Sequence, residues 1–325
     1  MHRIDTPTAQ KDKFGAGKNG FTAGNPQTGT PATDLDNDYF DMLQEELAGV
    51  VEATGVNLDK SKHNQLLTAL KALMLIRAHP FADIKADGPA AIAEALSNLR
   101  LSDSAGFVGR LIGPPKIFTS SGTYTPTPGT KKILIEVQGA GGGGGGAGAT
   151  SATSYSAGGN GTGGGYAMSL LDVAADKITS VPVTVGAGGL GGNGSPTGGN
   201  VGGASKFGSF ITAGGGNGSL TTAQRDTAFT ITGTYGGIAT GGNIINRRGD
   251  GSDSVICIGG LIVIGRAGSS KFGAGGNGYA NWNVSGKNGA GYGSGGTGAT
   301  SNNSPDVYYS GGNGADGIVI VWELA

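Results

Sequence analysis

Gly139-Ala140-Gly141-Gly142-Gly143-Gly144-Gly145-Gly146-Ala147-Gly148 follows directly on Lys132-Ile133-Leu134-Ile135-Glu136-Val137-Gln138. An apolar strand pattern thus runs without a break into a stretch that carries almost no side chain. Glycine loses more backbone freedom on ordering than any other residue, so such a run stays loose on its own. Lacking Cβ, it can instead lie close against other backbones as an extended, polyproline-II-like segment and hydrogen-bond to them. Further glycine blocks occupy 157–165, 186–203, 213–218, 236–242, 273–278, 286–298 and 310–317. Strand patterns bracket them at Ile117–Thr119, Gly122–Tyr124, Tyr166–Val173, Ile178–Val185, Phe207–Ile211, Leu261–Ile264 and Ile318–Trp322. The bracketing predicts one ordered domain held largely by backbone bonds, each worth about 1 kcal/mol net.

The chain has 325 residues, 68 of them glycine and 12 proline. Such a composition first suggests low complexity or collagen. Gly186-Ala187-Gly188-Gly189-Leu190-Gly191 breaks the every-third-residue rule that collagen requires. The glycines are also unevenly placed: 57 of the 68 follow Lys116, whereas 26 of the 45 charged residues precede or include it. A boundary near Gly113-Pro114-Pro115 follows.

A net charge of −1 gives no sign of a nucleic-acid or membrane-seeking surface. The single cysteine, Cys257, excludes an intrachain disulfide framework and a cysteine zinc site, and its neighbours Val255, Ile256 and Ile258 predict a buried thiol. The longest apolar run, Val255–Ile264, is broken by Gly259-Gly260 and has about half the roughly 20 residues of a membrane helix. No secretory pattern opens the chain, so synthesis as a soluble protein in a cytoplasm is expected.

Before the boundary, residues 1–33 read as an extended arm rich in Gly, Asn, Thr and Pro. Acids crowding Thr33–Asp38 predict a helix start at Thr33 or Asp34. Phe40, Leu43, Leu47, Val50 and Val51 continue it at helical spacing, and Gly55 stops it. A second helix, capped by Asp59 or Ser61, carries Leu66, Leu67, Leu70, Leu73, Met74 and Arg77 and ends at His79-Pro80. A connector, 81–115, holds a short helix over Pro89–Leu101. The expected organisation is therefore an arm (1–33), a helical region (34–80), the connector, and a glycine-rich domain (116–325).

Little in the sequence points to catalysis. His2, His63 and His79 all precede the glycine-rich domain, and its acids show no suggestive pairing apart from Asp250 and Asp253. Asp34, Asp36, Asp38 and Glu45 imitate calcium-loop spacing, but Tyr39 stands where that loop needs glycine. Gly159-x-Gly161-x-x-Gly164 has the dinucleotide-binding spacing without a following helix, and Arg248-Gly249-Asp250 reads as a polar turn. No enzyme activity, cofactor or metal is expected. The informative residues are those between glycine blocks: Tyr155, Tyr235, Arg247, Arg248, Tyr279, Trp282, Tyr292, Tyr308 and Tyr309. Tyr, Trp and Arg are enriched at recognition hot spots, so these are the candidate binding residues, with stapling of the glycine layers as the alternative role.

Gly24-Asn25-Pro26, Gly29-Thr30-Pro31-Ala32-Thr33 and Gln44-Glu45-Glu46-Leu47 resemble the N-terminal segment of tail fibre proteins of tailed phages and prophages. Phe118–Pro126, Ile133–Val137 with the glycine run after it, Val183–Gly189 and Gly314–Val321 resemble the glycine-rich C-terminal domain of phage tail fibres. The resemblance implies a homotrimeric virion fibre, assembled in the host cytoplasm. Its N-terminal region would attach to the baseplate, and its far end would bind host lipopolysaccharide or an outer-membrane protein. It also implies an α+β chain in which a short helical region precedes a β-sandwich-like domain with polyglycine-II-like segments. No long repetitive shaft is present, so a short fibre or distal piece is expected. A structural spacer and a glycan-cleaving depolymerase are the alternatives.

Overall fold

The computed structural model describes residues 2–74, 81–102, 107–194, 196–259 and 261–325. The expectations for Arg77, His79 and Pro80 lie outside these residues. The chain divides into two compact units, Met1–Arg100 and Leu101–Ala325.

In the first unit, α1 spans Asn37–Glu52, later than the acidic cluster alone suggests. The Asp34 amide donates to Thr8 Oγ1 at 2.7 Å and the Thr33 amide to the Thr22 carbonyl. Both residues are thereby held by the arm, and Asp36 becomes the N-cap, accepting from the Asp38 amide at 2.8 Å. Gly55, at φ +75°, closes the far end. α2 spans Gln65–Leu73 behind Asn64, while Asp59 closes a turn by accepting from the Ser61 amide and hydroxyl. Two short helices follow, α3 (Ala82–Ala86) and α4 (Pro89–Asn98).

The second unit is mostly β, and every strand pair in it is antiparallel among the described residues. Its strands are β1 Lys116–Phe118, β2 Gly122–Tyr124, β3 Lys132–Gln138, β4 Tyr155–Ala157, β5 Tyr166–Asp172, β6 Val181–Thr184, β7 Ser205–Phe207, β8 Ile211–Ala213, β9 Phe229–Ile231, β10 Ala239–Thr240, β11 Ile245–Arg247, β12 Val255–Ile258, β13 Leu261–Ile264, β14 Thr300–Asn302 and β15 Ile318–Leu324. One open sheet has the order β1-β15-β3-β5-β11, a second β10-β8-β7-β6-β2. Alternate residues Ile133, Ile135, Val137, Val319 and Val321 of the first sheet join Tyr124, Val183, Phe207 and Ile211 of the second in one core. Phe207–Ile211 is not the single strand its apolar ends suggest. Gly208, at φ +52°, turns the chain there, so Phe207 and Ile211 face each other across a hairpin.

A separate small core gathers Tyr155, Ala157, Ile231, Val255, Cys257, Ile262 and Ile264 around the sheet β13-β12-β9. Burial pushes the Cys257 thiol up to about 11, so it acts as a small hydrophobe.

Between these cores the glycine blocks form a bundle. Residues 139–148 are buried throughout, and the bonding of 139–147 repeats every three residues. The amides of Gly139, Gly142 and Gly145 donate to the carbonyls of Gly165, Thr162 and Gly159. Those of Ala140, Gly143 and Gly146 donate to Gly203, Asn200 and Thr197, and those of Gly141, Gly144 and Ala147 to Ala315, Gly312 and Tyr309. Partner numbers fall as the donor number rises, so these three neighbours run antiparallel. Three others donate inward and run parallel: Gly189 and Gly192 to Gly141 and Gly144, Gly216 and Ser219 to Ala140 and Gly143, Gly296 and Ala299 to Gly142 and Gly145. A threefold extended helix points successive amides in three directions, which is why a sheet ladder cannot produce this register. The segment is about 28 Å long at roughly 3.1 Å per residue.

Glycine is required here by proximity. A Cβ on Gly144 would lie 1.9 Å from the Thr297 carbonyl oxygen, and one on Gly158 would lie 1.9 Å from that of Gly145. Gln138 joins strand to bundle, its Nε2 donating to the Gly164 carbonyl at 2.8 Å and to those of Gly139 and Gly165 at 3.1 Å.

Candidate functional site

The central glycine segment leaves β3 at Gln138 and finishes at Ala147, so the bundle has a strand end and a loop end. Neighbouring segments reach the loop end near 158, 192, 197, 219–221, 299 and 309, as their bonds to Gly143–Ala147 show. The connections 148–156, 220–228 and 300–308 are thereby brought together with Asn193, Gly194 and Thr197. Tyr155 exchanges backbone bonds with Arg225 at 2.8 and 2.9 Å, and its hydroxyl donates to the Asp226 carbonyl at 3.2 Å. Gln224 Nε2 donates to Ser151 Oγ at 3.0 Å, and the Ser304 amide to Thr150 Oγ1 at 3.0 Å. Gly194 lies against Tyr308: a Cβ there would sit 2.8 Å from that of the tyrosine. Asn303 and Asp306, at φ +42° and +63°, supply the tight turns that double the last loop back.

Of the nine sequence candidates, Tyr155, Tyr279, Trp282, Tyr308 and Tyr309 lie at this end. Four of them bind the loops to one another. Tyr155 stacks on Trp282 with centroids 5.7 Å apart and rings 27° from parallel. The Tyr279 hydroxyl donates to the Gly298 carbonyl, and burial pushes it well above the ordinary phenol range. Tyr309 pairs its backbone with Ala147 and its hydroxyl with Ser304 Oγ at 3.1 Å. Tyr308 is exposed, as are Asn303, Asp306 and Val307 in the same loop and Arg225 in the connection 220–228. Arg225 opens the insert 225–235 between two glycine blocks, and its pairing with Tyr155, far away in the chain, places it here.

The sequence profile of the glycine-rich domain family matches residues 119–322. The chain belongs to that family. Within this glycine-rich domain chain, 105 residues are 71% identical to an uncharacterized protein of Escherichia coli strain K12, StfP, covering 32% of this chain and 49% of the relative. A further 35% identity over 72 residues links it to Tail fiber protein S of Escherichia phage Mu, over 21% of this chain and 14% of the relative. The chain thus spans about half the length of the first relative and about a seventh of the second. Among the described residues no helix is long and apolar enough to cross a membrane.

The glycine-rich domain places the other four candidates, Tyr235, Arg247, Arg248 and Tyr292, at the strand end. Arg248 lies over the Tyr235 ring at 5.4 Å, and Arg247, opposite Tyr166 in the β11–β5 pair, bonds Asp250 at 2.8 Å. Tyr292 forms a backbone bridge with Phe272, whose ring meets that of Tyr166 edge-on at 6.2 Å. Beneath them, Lys271 and the Tyr166 hydroxyl both donate to the Glu136 carboxylate. Burial pushes Glu136 up, but these two bonds outweigh it and hold the group below the usual carboxylate range. The acidic pair offered by the sequence is already engaged: Asp250 with Arg247, Asp253 with the Arg266 amide at 2.9 Å.

Proposed function

We propose that this chain is a tail fibre component of a virion that binds the bacterial host surface through the loop end of its glycine-rich domain, without bond-making chemistry. The similarity to Tail fiber protein S supports the virion setting. The observation that carries the binding site is the convergence of three connections at one end of a backbone-bonded bundle, with Tyr308 and Arg225 exposed and the other aromatics locking the loops beneath them. Rigid aromatic and arginine side chains on a pre-ordered base bind with little ordering cost. Lipopolysaccharide or an outer-membrane protein is the receptor class, and the N-terminal unit is the attachment region for the baseplate.

Purified protein should bind susceptible cells, and a Tyr308→Ala/Arg225→Ala variant should lose about tenfold or more of that binding with an unchanged melting temperature. A Tyr235→Ala/Arg248→Ala variant at the strand end should retain it. Cells stripped of lipopolysaccharide, set against cells lacking one outer-membrane protein, identify the receptor. If the unaltered protein binds no cells, a spacer role replaces this reading; release of reducing sugar from surface polysaccharide would make it a hydrolase.

A homotrimer is the second part of the proposal. Phe40, Leu47, Leu67, Leu70 and Leu73 of α1 and α2 are exposed, an apolar surface suited to self-association. Three copies would turn weak single contacts into avidity through effective concentration. Sedimentation at micromolar concentration should give three times the chain mass of 31.9 kDa; a monomer would refute the trimer.

A further inference from the structure

We propose that His2, Asp5 and Asp36 form a binding site for a divalent transition-metal ion that ties the N-terminal arm to the start of α1. Their ligand atoms, one imidazole nitrogen and two carboxylate oxygens, all lie within 4.8 Å of one another. Metal–ligand bonds of roughly 2.0–2.2 Å place two ligands of one ion at most about 4.4 Å apart, so small side-chain rotations complete the site.

Contacts that do not involve the three ligands fix the backbones that carry them. Ile4, between His2 and Asp5, is buried. The Thr6 hydroxyl donates to the Asp34 carbonyl at 3.3 Å, the Thr33 hydroxyl to the Thr8 carbonyl at 3.3 Å, and the Asp34 amide to Thr8 Oγ1 at 2.7 Å. The Tyr39 ring, on α1, meets the His2 imidazole edge-on at 6.0 Å and 86°, which limits its rotation. Asp36 uses Oδ1 as the helix cap, leaving Oδ2 for an ion. Among the described residues neither Asp5 nor Asp36 is ion-paired with a lysine or arginine, so two like charges face each other beside an imidazole. A cation relieves that repulsion. The nitrogen donor selects against calcium and magnesium, which take oxygen ligands, and the absence of thiolate from the set fits Zn²⁺ or Mn²⁺ with water in the remaining positions. This site is unrelated to the calcium-loop spacing noted above: Asp34, Asp38 and Glu45 take no part in it.

The full chain, free of any histidine tag and stripped with chelator, is titrated calorimetrically with Zn²⁺ and, separately, Mn²⁺. One ion per chain is expected. His2→Gln and Asp5→Asn should each weaken binding by about tenfold or more. Asp36→Asn should do the same while retaining the helix, since Asn caps as well as Asp. The His2 ring nitrogens should shift in NMR on Zn²⁺ addition. No saturable binding of either ion, or binding that survives both His2→Gln and Asp5→Asn, overturns the proposal.

Discussion

Gly144→Ala should unfold the glycine-rich domain or lower its stability by more than about 4 kcal/mol. The new Cβ would lie 1.9 Å from the Thr297 carbonyl oxygen and 2.3 Å from its carbon, and no flexible side chain is present there to give way. The backbone itself must move. Gly144 donates to Gly312 at 2.9 Å and accepts from Gly192 at 2.8 Å, so displacement weakens bonds to several neighbours at once. Ordinary overpacking costs about 1–3 kcal/mol because side chains can readjust; a core of backbones has no such slack. Urea unfolding followed by tyrosine and tryptophan fluorescence measures the change. Gly113→Ala, where no atom lies within 4 Å of the added Cβ, is the comparator and should be near neutral. Equal midpoints for the two variants would refute a proximity-locked bundle.

The second large effect is expected at Glu323. Its carboxylate accepts from Lys116 Nζ and the Tyr124 hydroxyl at 2.8 Å, the Thr127 amide at 2.9 Å and the Thr127 hydroxyl at 2.6 Å. Burial raises its pKa, but these donors outweigh burial and lower it to about 2. Since the folded value lies below the unfolded one, the stabilisation is fully present above about pH 4.5 and is lost as pH falls towards 2. The shift corresponds to about 3 kcal/mol. Glu323→Gln should therefore lose about that much at neutral pH and flatten the acid limb, its stability meeting that of the unaltered protein near pH 2. A constant difference between the two across that range would show that the loss is packing, not charge.

The glycine blocks and the strands at 116–118, 122–124, 132–138 and 318–324 were legible because their periods are local. Which block lies against which was not. Gly142 and Gly144 are each flanked by glycine on both sides, yet one donates to Thr162 and the other to Gly312. Nothing near either residue encodes its partner. The same limit separates the candidate residues. Tyr155 and Tyr308 both lie in connections between glycine blocks, but only the stacking of Tyr155 on Trp282 turns it inward. At Thr33 and Asp34, helix-start residues were claimed by the arm's threonines, a tertiary bond overriding local propensity.

The three-residue register of the bundle governs how such a chain can change its length. Deleting one residue from 139–147 would turn every later amide by about a third of a revolution, aiming each at the wrong neighbour. Removing three would shorten the rod by about 9 Å and restore every direction. Loops beyond Ala147 face no such arithmetic, because their ends are fixed by the bundle and their interiors are not. Variation among related chains should then follow two rules, free in the loops and quantised in threes along the rod, so that the loop surface can diverge while the scaffold keeps count.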